Sequence, residues 1–340
     1  MKIDGRFAEE SASLRDVPGI ARAAEALGLD ALWSSETAHD PYIPLVLAAE
    51  HTSTIQMGTA IALAFPRSPM VTAYMAWDLQ ALSCGRLLLG LGSQVRGHNE
   101  RRFSIKWEAP APRMGEVVRS LRAIWECWQK GEPLDFKGRF YTFTLMTPHF
   151  SPGPIEHPCI PVFISAVNPL MLRVAGEHCD GVHIHPMHTV RYVREVALPA
   201  IMEGARKAGR RREDIELASM VFVVTGRNRE ELERSRRAVK QQIGFYASTR
   251  AYKVVLAVHG WEVLTPRLGR MAVAGQWEAM TNEITDAMVE EFAVVGMPEE
   301  IGPKLKAKYT GVLDRVVPYF PYVPGQQEDV WRSVIRALKE

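Results

Sequence analysis

Two short stretches of this 340-residue chain carry side chains able to move protons or hold a ligand. The first is Glu36-Thr37-Ala38-His39, where a carboxylate and an imidazole follow an apolar run. Such a pair can serve as general acid and base; in an ordinary surface loop the same residues are simply solvated. The second is His183-Ile184-His185, with His188 close behind. Residues two apart on a strand share a face, so both histidines point one way while Val182 and Ile184 point the other. Three readings of this pair stay open. It can bind a divalent metal that activates water, line a cofactor or substrate cavity, or be satisfied within the fold. A metal would need a carboxylate and another ligand, and no spacing in the sequence supplies them. A third stretch, Gly90-Leu91-Gly92-Ser93, would let a flat ligand or a phosphate approach the backbone. It also reads as a plain strand-to-loop turn.

These stretches need strands to present them. Apolar runs at residues 2–4, 31–35, 55–63, 86–90, 161–165, 181–185, 215–225 and 314–319 are expected as eight strands. Helices are expected at 16–27, with Gly28 as a left-handed cap, and at 69–82, 113–130 and 169–178. The third shows the clearest helical stripe, through Met114, Val117, Val118, Leu121, Ile124, Trp125 and Trp128. Residues 134–143 alternate around Lys137-Gly138 and suggest a small hairpin. Strands that read as continuous apolar runs and alternate with helices indicate a parallel sheet, and eight units indicate closure. The expected fold is therefore an α/β chain forming a single (β/α)8 TIM barrel. An open doubly wound sheet would want G-x-G-x-x-G at its first helix, which is absent. Long connections at 91–112, 131–159 and 244–311 suggest insertions after strands 4 and 7 within one domain spanning 1–340. Active sites of such barrels lie at the C-terminal strand ends, where the stretches above fall.

The composition narrows the partners. Forty-one basic against 39 acidic residues leave a formal net charge of +2, which gives no general grip on nucleic acid or an anionic membrane. The basic run at 207–212 reads as a solvated helix end. An apolar fraction of 47% supports a large core, and no 18-residue apolar run is present to span a membrane. Four scattered cysteines without C-x-x-C, and no apolar leader at Met1-Lys2-Ile3-Asp4, suggest a cytoplasmic protein with neither disulfides nor structural zinc.

Several segments in order resemble one family. They are Gly28-Leu29-Asp30-Ala31-Leu32-Trp33-Ser34-Ser35-Glu36, Ile55-Gln56-Met57-Gly58-Thr59-Ala60-Ile61, and Arg67-Ser68-Pro69. Ala81-Leu82-Ser83-Cys84-Gly85-Arg86-Leu87-Leu88-Leu89-Gly90-Leu91-Gly92, Pro161-Val162-Phe163-Ile164-Ser165-Ala166 and Ala175-Gly176-Glu177-His178-Cys179-Asp180-Gly181-Val182 continue the likeness. Together they are similar to the bacterial luciferase-like superfamily, over most of residues 1–225. The glycine-free loop Ser165-Ala166-Val167-Asn168 and the stretch Leu91-Gly92-Ser93-Gln94-Val95 look closer to its deazaflavin (coenzyme F420) branch than to its FMN monooxygenases. The resemblance implies an oxidoreductase moving a hydride between F420, or alternatively FMN, and a small organic substrate. It implies Glu36 and His39 as catalytic groups. Ala60, Ile61, Ser93, Gln94, Ser165, Ala166, His183 and His185 would line the cofactor, with a cis peptide at Ala60–Ile61. The branch commonly has Asp-His where this chain has Glu36-Thr37, so His39 is the candidate stand-in. A homodimer through residues 43–50 and 69–82 is also implied. A metal-dependent hydrolase built on His183 and His185 is the rival class.

Overall fold

The structure, a computed structural model, describes residues 1–8 and 13–339. Eight parallel strands close into a barrel: β1 (Lys2–Arg6), β2 (Ala31–Ser34), β3 (Gln56–Thr59), β4 (Leu87–Gly92), β5 (Val162–Ala166), β6 (Gly181–Ile184), β7 (Glu216–Thr225) and β8 (Arg315–Pro318). Each pairs with the next, and β8 returns to β1 with Lys2 opposite Arg315. The expected barrel is the observed one. Gly28 closes the first helix, Val17–Leu27, at φ 90°. The helices Pro69–Leu82 and Pro169–His178 have the expected limits, and the third starts slightly earlier, as Pro110–Lys130.

The strand expected over 55–63 is interrupted. β3 stops at Thr59, the Ala60–Ile61 peptide is cis, and Ala62–Leu63 resumes pairing with β4 opposite Leu91 and Gly92. The excursion expected to begin near Gly244 begins later. A helix, Arg229–Ala247, runs through Gly244, and the chain leaves it at Ser248. Short helices then cover Lys253–Ala257, Leu264–Val273, Trp277–Asn282 and Asp286–Phe292. A ninth parallel strand, Ala293–Gly296, adds to β7 outside the barrel, which no sequence run had suggested. Before β5, the hairpin pairs Phe136–Lys137 with Thr142–Phe143, inside the span expected for it.

Two apolar regions result from strand alternation. The larger lies between barrel and helices, and draws Val255, Leu256, Leu268, Met280 and Ile284 of the excursion into the same cluster as the barrel shell. The smaller fills the barrel interior with Ala31, Trp33, Leu88, Phe163, Ala218 and Val317. Trp33 and Phe163 meet edge-on at 5.9 Å.

Below this plug the interior turns polar. Arg315 on β8 and Asp4 on β1 have no solvent exposure. Arg315 Nε donates to Asp4 Oδ2 at 2.8 Å and Nη2 to Oδ1 at 3.1 Å. Its Nη1 reaches Gln56 Oε1 at 3.0 Å and Glu216 Oε2 at 3.2 Å. Trp33 Nε1 donates to Asp4 Oδ2 at 2.9 Å, and Lys2 pairs with Glu216. One guanidinium thus joins β1, β3, β7 and β8. Removing one member of such a pair strands a buried charge, which typically costs about 3–5 kcal/mol. Arg315→Met should therefore lower the chemical denaturation midpoint sharply. Asp4→Leu combined with Arg315→Met should recover part of the loss, because the charge is then gone. A double variant as unstable as the sum of the singles would contradict this.

Candidate functional site

The C-terminal ends of the eight strands surround a mouth whose walls divide into two halves. On the β2–β4 side, Glu36 works on the backbone. Its N–H donates to Ile61 O at 3.2 Å, and its Oε2 accepts from Leu63 N at 2.7 Å. The same oxygen takes Arg67 Nη1 at 2.6 Å, while Arg67 Nη2 holds Asp40 at 3.1 Å. The Glu36 side chain is only 10% exposed. Main chain and carboxylate together therefore fix the segment that follows the cis peptide. His39 lies exposed in the loop beyond, and the hydrogen bonds of Glu36 go to Leu63 and Arg67 rather than to it. The structure does not bring the expected pair together.

Ala60, Ile61, Ser93, Gln94 and Ser165 are all partly accessible around this rim. A Cβ on Gly92 would stand 2.4 Å from Ile61 Cδ1 and 2.8 Å from Ser165 Oγ, so the glycine is what lets β3 and β5 close over β4 here. Gln94 adopts φ 56° and accepts from Val95 N with its own Oε1. Ser93 O accepts from the buried Asn99 side chain at 2.8 Å. Ala166 differs: its side chain is buried in the cluster between barrel and helices.

His183 stands at the top of the plug, edge-on to Trp33 at 4.7 Å and 5.3 Å from Phe163. Its ring is partly open to the mouth, while Nε2 is buried on the side of the Thr59 carbonyl. His185 is committed on both nitrogens. Met187 N donates to its Nδ1 at 3.0 Å, and Tyr252 Oη lies 2.9 Å from its Nε2. Tyr252 and Tyr246 pack on its ring at 4.3 and 4.6 Å. Tyr246 Oη meets Tyr319 Oη at 2.6 Å, and Arg6 donates to Tyr319 O at 3.2 Å. An aromatic arc thus runs from β6 round to β1.

Sequence reasoning missed this arc. Alternation along β1, β7 and β8 places Arg6, Met220 and the end of β8 inward, and that signal was readable. Tyr246 and Tyr252 come from outside the strands, and no periodicity marks them. Among the described residues no three His, Cys, Asp or Glu side chains gather as a metal site would require.

Burial pushes His183 and His185 down to about 3 and His188 to about 4, from the ordinary 6.5. Arg315 adds to the effect at His183. All three are therefore neutral in the fold near pH 7, whereas the unfolded chain takes up protons on them below about pH 6.5. Their folded pKa values are depressed, so stability should fall as pH drops from about 6.5 toward 4. The slope is up to about 1.4 kcal/mol per pH unit for each histidine. Thermal melts between pH 7.5 and 5 should show this slope, and His183→Gln should flatten it. An unchanged slope in the variant would contradict the assignment.

The family model for luciferase-like monooxygenases matches residues 2–315. An uncharacterised protein of Mycobacterium tuberculosis (strain H37Rv) is 47% identical over 320 residues, covering 94% of this chain and 93% of its own. A 5,10-methylenetetrahydromethanopterin reductase of Archaeoglobus fulgidus is 27% identical over 328 residues, covering 94% of each chain. Among solved structures, the coenzyme F420-dependent tetrahydromethanopterin reductase of Methanopyrus kandleri superposes with a TM-score of 0.79 at 21% identity, over 98% of this chain and 96% of its own, a likeness of fold. With the family model spanning nearly the whole barrel and the fold in agreement, this chain belongs to the luciferase-like monooxygenase family.

Proposed function

We propose that the protein is an oxidoreductase that uses the deazaflavin coenzyme F420 to exchange a hydride with a small organic substrate. The observation that carries this reading is the character of the mouth. His183, held neutral by burial, presents a partly open ring at the top of the aromatic plug. Beside it stand the Ser165 hydroxyl and the apolar Ala60 and Ile61. Hydrogen-bonding groups among apolar walls, with no cluster of metal-ligating side chains among the described residues, suit a planar heteroaromatic ring better than a metal ion. The full-length similarity to a methylenetetrahydromethanopterin reductase supports the deazaflavin over FMN.

When bound, the deazaflavin supplies or takes a hydride at carbon 5 of its ring. The chain's share is positioning. Ser93, Gln94, Ser165 and His183 hold the coenzyme, and Ala60 and Ile61 support its ring. Glu36 sets their placement through Leu63 and Arg67, which makes it a positioning residue rather than a proton donor. His39, exposed and apart from Glu36, has a lesser part. Ala166 contributes through packing behind β5. Adding F420 should quench its fluorescence with micromolar affinity, and FMN should bind more weakly. Glu36→Ala should weaken F420 binding at least tenfold while His39→Ala changes it less than threefold. FMN retained through purification, with no response to F420, would instead establish the flavin monooxygenase reading.

We also propose that the chain acts as one domain, in a reducing cytoplasm that suits its four free cysteines, and as a homodimer. Among the described residues no helix is long and apolar enough to cross a membrane. The helices Ile43–His51 and Pro69–Leu82 are apolar on more than their inner faces. They leave Ile43 (49%), Val46 (39%), Val71 (53%) and Leu82 (46%) exposed. Burying this patch across a two-fold axis removes it from water. Light scattering should give twice the 38.1 kDa of one chain, and Val71→Glu should shift it toward one chain. A wild-type mass of 38.1 kDa at micromolar concentration would overturn the dimer.

A further inference from the structure

The excursion after the Arg229–Ala247 helix is tied to the barrel rim by hydrogen bonds, two of which flank Tyr252. Asn168 Nδ2, just past β5, donates to Ala251 O at 3.2 Å. Thr189 Oγ1, past β6, lies 2.8 Å from His259 Nε2. Between the two ties, the turn Arg250–Tyr252 sets Tyr252 against His185.

Hydrogen-bond accounting at His185 fixes where the Tyr252 proton goes. A backbone N–H can only donate, so the Nδ1 that receives Met187 N carries no proton. The imidazole is neutral, so its proton is on Nε2 and is donated to Tyr252 Oη, 2.9 Å away. Tyr252 is thus an acceptor toward His185, and its own O–H must point elsewhere. Among the described residues that proton has no acceptor. The residue is half-buried, next to Tyr246, whose hydroxyl reaches the end of β8. Burial raises its pKa above the usual tyrosine value, which keeps the phenol protonated near pH 7.

We infer that Tyr252 is the proton donor to the substrate, held in that role by His185, and that the substrate is a carbonyl or imine compound. This rests on the hydride-transfer reading above. The substrate carbon accepts a hydride from the reduced deazaflavin, which is thereby oxidised, and the C=O or C=N π bond breaks. The oxygen or nitrogen takes the proton from Tyr252 Oη. The phenolate left behind is stabilised by His185 Nε2–H and recovers a proton from water. In the reverse direction each transfer runs backward. Two neighbouring groups carry bonds of their own: Glu36 Oε2 accepts from Leu63 and Arg67, and His185 is bonded on both nitrogens. His185 acts through Tyr252 and is a positioning residue.

The test starts from protein labelled with carbon-13 at the tyrosine Cζ, with Tyr252 assigned by the resonance lost in Tyr252→Phe. Cyclohexanone and benzaldehyde are titrated against their hydrocarbon counterparts methylcyclohexane and toluene, with and without bound F420. A saturable shift of the Tyr252 resonance with a carbonyl compound, absent with its hydrocarbon, is expected. No saturable shift with either carbonyl, or an equal shift with the hydrocarbon, would overturn the inference. With the carbonyl that shifts it, Tyr252→Phe should slow single-turnover oxidation of reduced F420 by about 10²-fold or more, while F420 affinity stays within threefold. A rate within twofold of wild type would overturn the donor role. His185→Gln, which keeps a donor near the Nε2 position, should retain more activity than His185→Leu. Equal loss in both would remove His185 from the scheme. Failure of F420 to bind at all would sink the coenzyme reading instead, and the titration without coenzyme would still judge Tyr252.

Discussion

The buried pairing of Arg315 with Asp4 is the constraint on which the rest of the barrel hangs. β8 has to find β1 across more than 300 residues of chain, and apolar side chains alone would tolerate more than one register. A two-pronged guanidinium–carboxylate bond does not: both nitrogens must meet both oxygens, which pins Lys2 opposite Arg315. Such pairs add little net stability against an apolar replacement, and their value here is in registering the closing strands. Gln56 and Glu216 extend the same restraint to β3 and β7, and Trp33 leans on Asp4 from β2. With the floor registered, the aromatic plug above it has one arrangement, and His183 rests on that plug.

The β6 wall of the mouth is then a place where charge has been removed rather than collected. The three histidines of the β6 end are kept neutral by burial. One oxygen of the nearby Glu36 carboxylate is taken by a backbone N–H and by Arg67. What remains to meet a ligand is hydroxyls, an imidazole, apolar surface and the Arg6 guanidinium beside Tyr319. A site of this kind orients a reactive ring and keeps water away from it more readily than it polarises a bond by field strength.

Much of this was legible in the sequence, for identifiable reasons. The eight strands announced themselves because strands buried on both faces leave unbroken apolar runs, as in Leu87–Gly92. The helix Pro110–Lys130 was visible as a stripe because one face packs and the other does not. The inward aim of His183 and His185 followed from alternation alone. Less was visible where partners are distant in the chain. Glu36 looked like half of an acid–base pair because sequence shows the three-residue gap to His39 and not the reach to Leu63 and Arg67. Tyr252 was invisible because its meaning comes from a nitrogen 67 residues away. The Ala293–Gly296 strand was missed because four residues inside a helical stretch carry too little pattern to stand out.

The excursion bonds to the barrel rim at Asn168, His185 and Thr189, and its buried apolar residues join the core between barrel and helices. Those bonds span 83, 67 and 70 residues of chain, so each closes a long loop. Bed and canopy therefore share a core but not a floor. The Arg315–Asp4 network and the plug can be kept while the exposed positions of residues 248–292 change, and each such change re-cuts the space above the strand ends. A lineage built this way would vary faster over the mouth than in the floor beneath it.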